Sequence, residues 1–473
     1  MKRVLLIRTY RDVGAGGAVP PSGLLYVASA LRKAFPGDCE IKFLDTAFES
    51  DPAAAVAAAA REFSPDLAGF SVLSCEADFA LTLAAAVKKA RASVFTVFGG
   101  PCASVSPAQV LADGSVDACV IGEGEVTAVE LLSALSSGRG VEGLAGTAAR
   151  SGGKVVLGPA RPFIEDLDSL ELPAWDLIDF EKYSRKSNWN GYLKKKFYAP
   201  LLTSRGCPFH CVYCHNLFGK KVRARSAENV TAEVMLLREK RGVEEFHVID
   251  DVFNFDRKRA LEFSGLIAER APGLAFSFPN GLRADLMDVG LMRALKRMGT
   301  YKIHYGVESA SGRVRKSIKK DLTLEKVSSA VKLADREGIT TAGYFMLGFP
   351  GETEAEMKET ADYAAASDFD AAYFFKVTPY PGTELFNSLP AENRPSVSGG
   401  FFSAGPAASA RDAEINAALL YAQRKTYLSP RRLARLLRKS HSLPGLLRTL
   451  PGFLAGLLLV CISSALGPPR RGK

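Results

Sequence analysis

Three cysteines of this chain stand close enough in sequence to bind a single metal centre. They are Cys207, Cys211 and Cys214, in the segment that runs from Thr203 to Cys214. Structural zinc sites and most iron–sulfur clusters are closed by four protein ligands. Three thiolates therefore predict either a fourth ligand recruited from elsewhere or an iron with an open coordination position, where chemistry can occur.

A structural zinc site and a disulfide are the other uses that these thiols could have. His210 or His215 could complete a structural zinc site. A disulfide is disfavoured, because the chain has eight cysteines among 473 residues and no secretory signal is recognised at its start. An exposed iron–sulfur site would imply a reducing, low-oxygen cytoplasm.

The segment from Cys207 to Cys214 resembles the Cys-x3-Cys-x-aromatic-Cys signature of the radical S-adenosylmethionine enzymes. In that family the three cysteines hold a [4Fe–4S] cluster whose fourth iron binds the methionyl group of S-adenosylmethionine. The resemblance implies that Cys207, Cys211 and Cys214 are the catalytic metal ligands and that Tyr213 lies beside the adenine. It also implies a 5′-deoxyadenosyl radical that abstracts hydrogen from an unactivated C–H bond, a reaction that needs a cofactor.

Apolar runs alternate with helix-like stretches between residues 197 and 390. The first run precedes Cys207, and five others begin at Glu245, Phe276, Lys302, Thr341 and Ala372. This order predicts a parallel sheet covered by helices. The resemblance implies that this sheet is a partial (β/α)6 TIM-type radical SAM barrel, with chemistry at the carboxyl ends of its strands.

The resemblance gives roles to the residues that follow two of these runs. It implies that Asp250 and Asp251 contact the amine of S-adenosylmethionine. It implies further that Glu308 and Ser309 contact its ribose or methionyl group. Adjacent aspartates are also typical of turns and helix caps, so the prediction depends on the joint order of these residues after the cysteines.

Three further residues are expected to bind S-adenosylmethionine. Arg283 is expected to pair with the methionyl carboxylate through its guanidinium fork. Gly348 and Pro350 belong to a Gly-Phe-Pro-Gly-Glu-Thr turn, whose backbone passes near the adenine in the family. Glycine and proline are also ordinary turn residues.

The first 150 residues alternate strand-like and helix-like stretches and predict a doubly wound, Rossmann-like α/β domain. Its ligands are expected at the carboxyl ends of the strands, where small residues gather: Ser22, Ser71, Ser74, Gly99, Gly100, Gly122 and Gly124. The chain lacks the Gly-x-Gly-x-x-Gly fingerprint and the P-loop tripeptide, which disfavours a dinucleotide or a nucleoside triphosphate as the ligand.

This domain resembles the cobalamin-binding domains that precede the radical barrel in one subclass of the family, which implies that these small residues contact cobalamin. All five histidines, at positions 210, 215, 247, 304 and 441, follow the domain. No imidazole inside it can therefore ligate cobalt, and we expect a His-off corrinoid that favours nucleophilic Co(I). A flavodoxin-like domain without a cofactor is the alternative.

The formal charge of +10 comes from one end of the chain. Residues 415–473 contain eleven Lys and Arg and no acidic residue, which leaves 50 basic and 51 acidic residues elsewhere. The near-neutral body argues against nucleic-acid binding. An apolar run beside these charges predicts either peripheral membrane contact through the C-terminal tail or a buried C-terminal helix with a basic face.

The sequence thus predicts four segments: a cobalamin-binding domain (1–150), a linker (151–196), a radical SAM barrel (197–390) and a mainly helical C-terminal region (391–473). The predicted function is methyl transfer to an unactivated carbon of a small molecule, apolar or lipid-like, with flavodoxin or ferredoxin as electron donor. A cobalamin-dependent cyclase or oxidative rearrangement enzyme is the runner-up. A non-catalytic corrinoid or iron–sulfur binding module is the third hypothesis.

Overall fold

The computed structural model describes residues 1–10, 18–186, 193–394 and 410–430, together with Arg432 and Arg435. These residues form two compact units. The first consists of described residues within Met1–Lys186, Ser204–Asn229 and Pro379–Ser403. The second consists of described residues within Ser187–Thr203, Val230–Thr378 and Ala404–Lys473.

The first unit is built on a seven-stranded sheet in the order β2-β1-β3-β4-β5-β6-β7. Its elements are β1 (Lys2–Arg8), α1 (Ser22–Ala34), β2 (Cys39–Asp45), α2 (Pro52–Phe63), β3 (Leu67–Ser71), α3 (Ala77–Ala90), β4 (Phe95–Gly99), α4 (Pro101–Val105), α5 (Pro107–Val110), β5 (Ala118–Val120), α6 (Gly124–Ser136), β6 (Thr147–Ser151), β7 (Lys154–Leu157) and α7 (Phe180–Arg185). The strands β1 to β5 pair in parallel, which confirms the predicted Rossmann-like domain.

Strand β1 shows why this sheet is buried on both faces. Leu5 and Ile7 pack into one core with α2 and α3, and Val4 and Leu6 pack into a second core with α1 and α6. Successive side chains of a strand point to opposite faces, so an unbroken apolar run is suited to a sheet covered by helices on both sides.

The sheet continues beyond residue 150, which is the predicted end of this domain. Strand β6, Thr147–Ser151, includes residue 150 and pairs antiparallel with both β5 and β7. Gly152 and Gly153 connect β6 to β7, and both have positive φ, as a tight hairpin turn requires. The predicted linker 151–196 thus contains an edge strand and helix α7.

The second unit contains a six-stranded, wholly parallel sheet in the order β15-β14-β13-β12-β11-β8. The remaining elements of the chain, including β9, β10 and α14 of the first unit, are β8 (Tyr198–Leu201), β9 (Ser204–Arg205), β10 (Arg223–Ala224), α8 (Ala227–Arg241), β11 (Glu245–Val248), α9 (Arg257–Arg270), β12 (Ala275–Phe278), α10 (Val289–Arg297), β13 (Thr300–Glu308), α11 (Gly312–Ser317), α12 (Leu324–Arg336), β14 (Thr340–Leu347), α13 (Glu354–Ala366), β15 (Ala371–Lys376), α14 (Glu384–Ser388) and α15 (Ala410–Tyr427). The predicted six strands and their alternation with helices are confirmed.

The two faces of this second sheet differ in how closely they are covered. On β14, Phe345 and Leu347 are fully buried, whereas Tyr344 and Met346, which alternate with them, are half-buried. Phe345 contacts Tyr363 of α13. The helices therefore cover one face, and the other face is the interior of the partial barrel.

The C-terminal residues that the structure describes are bound to the barrel. Tyr421 and Lys425 of α15 both bind the carboxylate of Asp362 on α13. Arg432 donates to the carbonyl oxygen of Ala364, and Arg435 lies within ion-pair distance of three aspartates, at positions 335, 368 and 370. These two arginines of the predicted membrane-facing tail therefore have partners in the protein.

Residues 436–473, which include the apolar run predicted to meet a membrane, lie outside the described residues. Among the helices that are described, none combines the length and the hydropathy of a membrane-spanning segment.

Candidate active site

The predicted cluster cysteines lie on a loop of the first unit. The antiparallel pairing of β9 with β10 closes this loop at its base. Gly206 begins it with a φ of +92°, and a Cβ at this position would lie 2.3 Å from the carbonyl oxygen of Lys221. Only glycine fits so close to the opposite backbone, so Gly206 determines how the chain enters the cysteine segment.

The three thiols on this loop form no disulfide bond, and each is at least partly accessible to solvent. Cys207 and Cys211 are half-buried, Cys214 is exposed, and Tyr213 is half-buried. The amide of Cys214 donates to the carbonyl of Cys211 at 3.1 Å, and that of Cys207 to Gly219 at 3.2 Å. Within the described chain, no three His, Cys, Asp or Glu side chains are gathered closely enough to hold a metal ion. The donor set suits iron–sulfur chemistry, but the structure does not show the thiols in a ligating arrangement.

A buried ion network fixes the base of the cysteine loop. Arg205 donates to Glu123 at 2.8 Å and to Glu125 at 2.5 Å, and Arg223 donates to both oxygens of Glu123 at 2.8 and 3.0 Å. All four side chains are at most 5% exposed. Burial alone would lower the pKa of Arg205, but the charges of Glu125 and Glu123 raise it, so the guanidinium stays charged.

Sequence reasoning missed this network. It singled out Gly122 and Gly124 as predicted cobalamin contacts, and the carboxylates beside them bind the arginines of the cysteine loop. Two features of the sequence could have indicated it: the Gly-Glu-Gly-Glu segment at residues 122–125, and the arginines on either side of the cysteines, Arg205 and Arg223. A glutamate that is buried at the end of a strand needs a positively charged partner, and these arginines were candidates.

The predicted cobalamin contacts do meet at one edge of the first sheet. Gly99 accepts from the amide of Val72, directly after Ser71, and the hydroxyl of Ser104 joins the carbonyl of Gly100 to the amide of Gly122. Gly100 has a φ of +84°, and a Cβ there would lie 3.2 Å from the carbonyl oxygen of Val72. The loops after β3 and β4 are thus joined by a backbone hydrogen bond, and the Ser104 hydroxyl joins the loop after β4 to the loop after β5.

The other predicted contacts begin helices or turns at this same edge. Ser22 is the first residue of α1, Ser74 begins the turn before α3, and Gly124 is the first residue of α6. Gly122 is half-buried, and a Cβ there would meet nothing within 4 Å. An edge with few projecting side chains and open space at Gly122 fits the approach of a broad, planar ligand such as a corrinoid.

In the second unit, Asp250 binds the segment that leads into the cysteine loop. Its carboxylate accepts from the amide of Thr203 at 2.6 Å and from the Thr203 hydroxyl at 2.5 Å. Arg259 donates to the same hydroxyl oxygen at 3.0 Å. Asp250 is 2% exposed, whereas Asp251 is half-buried. This geometry favours an anchoring role for Asp250 over the predicted contact with a ligand amine.

Arg283 also has a partner in the protein. Its guanidinium binds Asp285 through two hydrogen bonds, at 2.8 and 2.7 Å, and donates to the carbonyl of Asp321 at 2.5 Å. A bidentate pair of this kind is stronger than a single hydrogen bond. To bind Arg283 as predicted, the carboxylate of S-adenosylmethionine would have to displace the Asp285 carboxylate from the guanidinium.

Glu308, at the end of β13, adopts a strained backbone conformation. Its φ is +68°, and the pairing of β13 with β14 shifts register between Gly306 and Glu308. The carboxylate of Glu308 lies against the backbone of Gly306: a Cβ built on Gly306 would be 2.5 Å from Glu308 Oε1. The Nζ atom of Lys320 lies 3.3 Å from the same oxygen. Strain of this kind is concentrated at functional sites, and it marks Glu308 as the strongest candidate for ligand contact in this unit.

Ser309, the neighbour of Glu308, is held differently. It is fully buried, its hydroxyl lies 3.2 Å from that of Thr360, and it accepts from the amide of Ser311. These contacts favour a structural role for Ser309 over the predicted contact with a ribose.

The Gly-Phe-Pro-Gly-Glu-Thr turn is held by its own glutamate, another residue that sequence reasoning missed. Glu352 accepts from the amides of Gly348 and Phe349 at 2.7 and 3.0 Å. Gly348 has a φ of +96°, and Pro350 is exposed. Burial raises the pKa of Glu352, although the two amides oppose this effect. The turn therefore presents Pro350 on a backbone fixed by a buried carboxyl group.

Comparisons with known proteins agree with this arrangement. Residues 201–364 match the Radical SAM superfamily, and residues 13–132 match the B12 binding domain. The chain is 35% identical over 386 residues to an uncharacterized methyltransferase, PH0819, of Pyrococcus horikoshii, with 81% of each chain covered. The chain belongs to the radical SAM enzymes that carry a B12-binding domain. The predicted family, enzyme class and cofactors, a [4Fe–4S] cluster, S-adenosylmethionine and cobalamin, are thereby confirmed.

Two further relatives of this radical SAM enzyme carry different activities in their names. It is 31% identical to the cytidylyl-2-hydroxyethylphosphonate methyltransferase of Streptomyces wedmorensis, with 77% of each chain covered. It is 29% identical to the anaerobic magnesium-protoporphyrin IX monomethyl ester cyclase of Rubrivivax gelatinosus, with 82% of this chain and 70% of the cyclase covered.

The fold has a solved counterpart. The radical SAM methyltransferase TsrM of Kitasatospora setae, with cobalamin and a [4Fe–4S] cluster bound, superposes with a TM-score of 0.69 at 20% identity. The match covers 81% of this chain and 77% of TsrM. At this identity the likeness shows the fold alone, a Rossmann-like sheet followed by a radical SAM sheet.

Proposed function

We propose that this radical SAM enzyme transfers a methyl group from S-adenosylmethionine to an unactivated carbon of a small-molecule substrate. The observation that carries the proposal is the combination, in one chain, of a B12-binding domain with three closely spaced cysteines, none in a disulfide, on the loop that opens the radical SAM segment. The 35% identical methyltransferase of P. horikoshii supports methyl transfer as the reaction class.

The absent groups would supply the reactive chemistry: the cluster with S-adenosylmethionine supplies a 5′-deoxyadenosyl radical, and cobalamin carries the methyl group. Cys207, Cys211 and Cys214 would hold the cluster through their thiolates. The glycine-lined edge formed by the loops after β3, β4 and β5 would hold cobalamin.

The protein side chains position these groups. The Glu308 carboxylate, already held in a strained conformation, would accept hydrogen bonds from S-adenosylmethionine, and the Gly348 turn would contact the adenine. Asp250 acts on Thr203, four residues before Cys207, and so orients the start of the cysteine segment. This division of roles keeps the predicted set of residues but gives Asp250 and Ser309 supporting functions.

A cobalamin-dependent cyclase or oxidative rearrangement is the second candidate. The specific observation in its favour is the 29% identical anaerobic cyclase of R. gelatinosus. Such a reaction uses the same cluster and the same S-adenosylmethionine site, but it transfers no methyl group. The products formed from S-adenosylmethionine therefore distinguish the two candidates.

An external one-electron donor of the flavodoxin or ferredoxin type would reduce the cluster, and the substrate would be a small molecule. We also propose that residues 436–473 bind the surface of a membrane. Deletion of these residues, which keeps the bound Arg432 and Arg435, tests it by co-sedimentation with anionic vesicles: loss of binding is expected, and unchanged binding would remove the tail as an anchor.

The proposal is tested with anaerobically reconstituted full-length protein. We expect about four iron atoms per chain, as one [4Fe–4S] cluster requires, and about one cobalt when cobalamin is supplied. Cys207→Ala should lose the iron, whereas Cys119→Ala, at a buried thiol of the first sheet, should keep it.

The product analysis follows from the same preparation. After reduction in the presence of candidate substrates, methyl transfer should yield both 5′-deoxyadenosine and S-adenosylhomocysteine. 5′-Deoxyadenosine alone would favour the cyclase, and substrate-dependent S-adenosylhomocysteine without 5′-deoxyadenosine would refute the radical mechanism. Zinc in place of iron would refute the whole proposal.

A further inference from the structure

One buried side chain of the barrel interior has a polar atom without a partner. His304 lies in the middle of β13 and is 2% exposed, and its Nε2 atom has no hydrogen-bond partner among the described residues. A buried polar atom that stays unpaired loses its hydrogen bonds to water without replacement, so such an atom needs an explanation.

The contacts of the other ring nitrogen determine the tautomer. Nδ1 of His304 lies 3.0 Å from the carbonyl oxygen of Pro279, and the Tyr344 hydroxyl lies 2.7 Å from that oxygen and 2.6 Å from Nδ1. The carbonyl can only accept. If Nδ1 were unprotonated, its lone pair would face that of the carbonyl, so Nδ1 carries the proton and donates it to Pro279. Nε2 is therefore a bare acceptor.

The ring also stays neutral. Burial, together with the positive charge of Lys302, lowers the pKa of His304 well below its usual value of 6.5. A neutral imidazole does not attract a carboxylate or a phosphate. Nε2 is suited instead to a ligand that donates an N–H or O–H hydrogen bond.

Aromatic rings lie beside the His304 imidazole. The ring centroids of Tyr344 and Tyr373 lie 4.9 and 6.0 Å from that of His304. The ring centroids of Tyr344 and Phe375 are 5.7 Å apart. Tyr344, Tyr373 and Phe375 are half-buried although they lie on two adjacent strands of the sheet. Half-buried aromatic rings of this kind can pack against a further aromatic ring in a tilted or edge-to-face arrangement.

This acceptor faces the same side as the strained glutamate. His304 and Gly306 lie two residues apart on β13 and so share a face, and the Glu308 carboxylate lies over the position that a Gly306 side chain would take. Pro279 follows the last residue of β12, so His304 is at the level where that strand ends. Carboxyl ends of strands are where barrels of this type bind their ligands.

We propose that His304 Nε2 accepts a hydrogen bond from the substrate, and that the substrate is a planar aromatic or conjugated ring bearing an N–H or O–H donor next to the aromatic wall of Tyr344, Tyr373 and Phe375. This inference rests on the proposed methyl transfer, since it names the class of molecule that the same barrel acts on. The aromatic wall fixes the plane of the ring, and His304 fixes its rotation.

The first test needs no known substrate and uses ¹⁵N-histidine in the full chain, which has only five imidazoles. His304→Gln assigns the resonance. We expect a protonated Nδ1 and a bare Nε2 whose shift changes when phenol is added but not when anisole, its O-methyl counterpart, is added. A protonated Nε2, or equal responses to phenol and anisole, would overturn the inference, and the second result would leave a buried water as the partner of Nε2.

The second test measures phenol and anisole binding to the reconstituted holoenzyme by equilibrium dialysis. One hydrogen bond predicts about a tenfold preference for phenol, which His304→Phe should abolish. Phe375→Leu, the matched control, should weaken both probes and keep the preference. If the reduced holoenzyme cleaves S-adenosylmethionine but does not discriminate between the probes, this inference alone fails. If it discriminates but does not cleave, the proposed function fails.

Discussion

Glu123 accepts a hydrogen bond from Arg205 at 2.8 Å, and both side chains are almost completely buried. The two residues stand 82 positions apart in the sequence. Glu123 lies in the loop after β5, and Arg205 directly precedes Gly206 at the start of the cysteine loop. The loop predicted to contact cobalamin and the loop that carries the cluster cysteines are therefore joined by a desolvated ion pair.

Glu123→Gln should destabilise the protein by about 3–5 kcal/mol, because it leaves Arg205 and Arg223 with too little negative charge in a buried site. Urea unfolding measures the free energy of unfolding. The matched control is Glu130→Gln, whose carboxylate is 45% exposed and pairs with Arg161, and it should cost at most about 1 kcal/mol. Equal effects of the two substitutions would contradict the network.

Gly206→Ala should reduce the iron bound after reconstitution. The new methyl group would meet the Lys221 carbonyl at 2.3 Å, and the left-handed backbone adds strain, so the cysteine segment would have to shift. Iron analysis is the measurement. Gly265→Ala, in helix α9 with nothing near its Cβ, should bind iron normally and be slightly more stable. Full iron content in Gly206→Ala would show that the loop tolerates a different entry.

Lys302 should make stability depend on pH in the alkaline range. Burial lowers its pKa from 10.5 to about 8, although the charge of Glu245 opposes the shift. Between these two values the unfolded chain binds more protons than the folded one, so the free energy of unfolding gains a positive slope with pH.

Lys302→Met should remove this slope, and Lys332→Met, at an exposed position of α12, should keep it. Urea unfolding at pH 7 and pH 10 measures the difference between variants. The same slope in Lys302→Met and in the parent protein would show that another group is responsible.

Glu308→Gln should weaken S-adenosylmethionine binding by about tenfold to a hundredfold, since a hydrogen bond to a charged group contributes about 1.5–3 kcal/mol. Equilibrium dialysis with labelled S-adenosylmethionine gives the dissociation constant. Glu337→Gln, which loses a surface pair with Arg293, is the control and should bind normally. Unchanged affinity in Glu308→Gln would leave the strain at this residue without a ligand-binding explanation.

Local sequence predicted the elements closely. The runs predicted to begin at Glu245, Phe276 and Lys302 are β11, β12 and β13, whose first residues are Glu245, Ala275 and Thr300. Apolar periodicity carries this information because each strand or helix needs only its own residues to show which sides are buried. The hairpin of β6 and β7 was missed because strands of five and four residues are too short to show a clear apolar period.

The site was harder to predict than the fold. Asp250 and Arg283 were predicted to contact S-adenosylmethionine. In the structure, Asp250 accepts a hydrogen bond from Thr203, and Arg283 donates one to Asp285. A charged residue at a strand end has the same local sequence whether its partner is a ligand or the protein. The partner is decided only when distant segments meet.

What the sequence by itself determined is the chemistry that the chain can support. The spacing of Cys207, Cys211 and Cys214, the alternation of strands and helices, and the lack of histidine in the first domain are all local facts. The motifs carried the resemblance that implied the family and its cofactors, and the lack of histidine predicted a His-off corrinoid. The tertiary structure alone decided that Glu123 binds Arg205, that Glu308 is strained and that His304 keeps a bare acceptor. These properties depend on burial and on contacts between residues far apart in the chain, which no local pattern specifies.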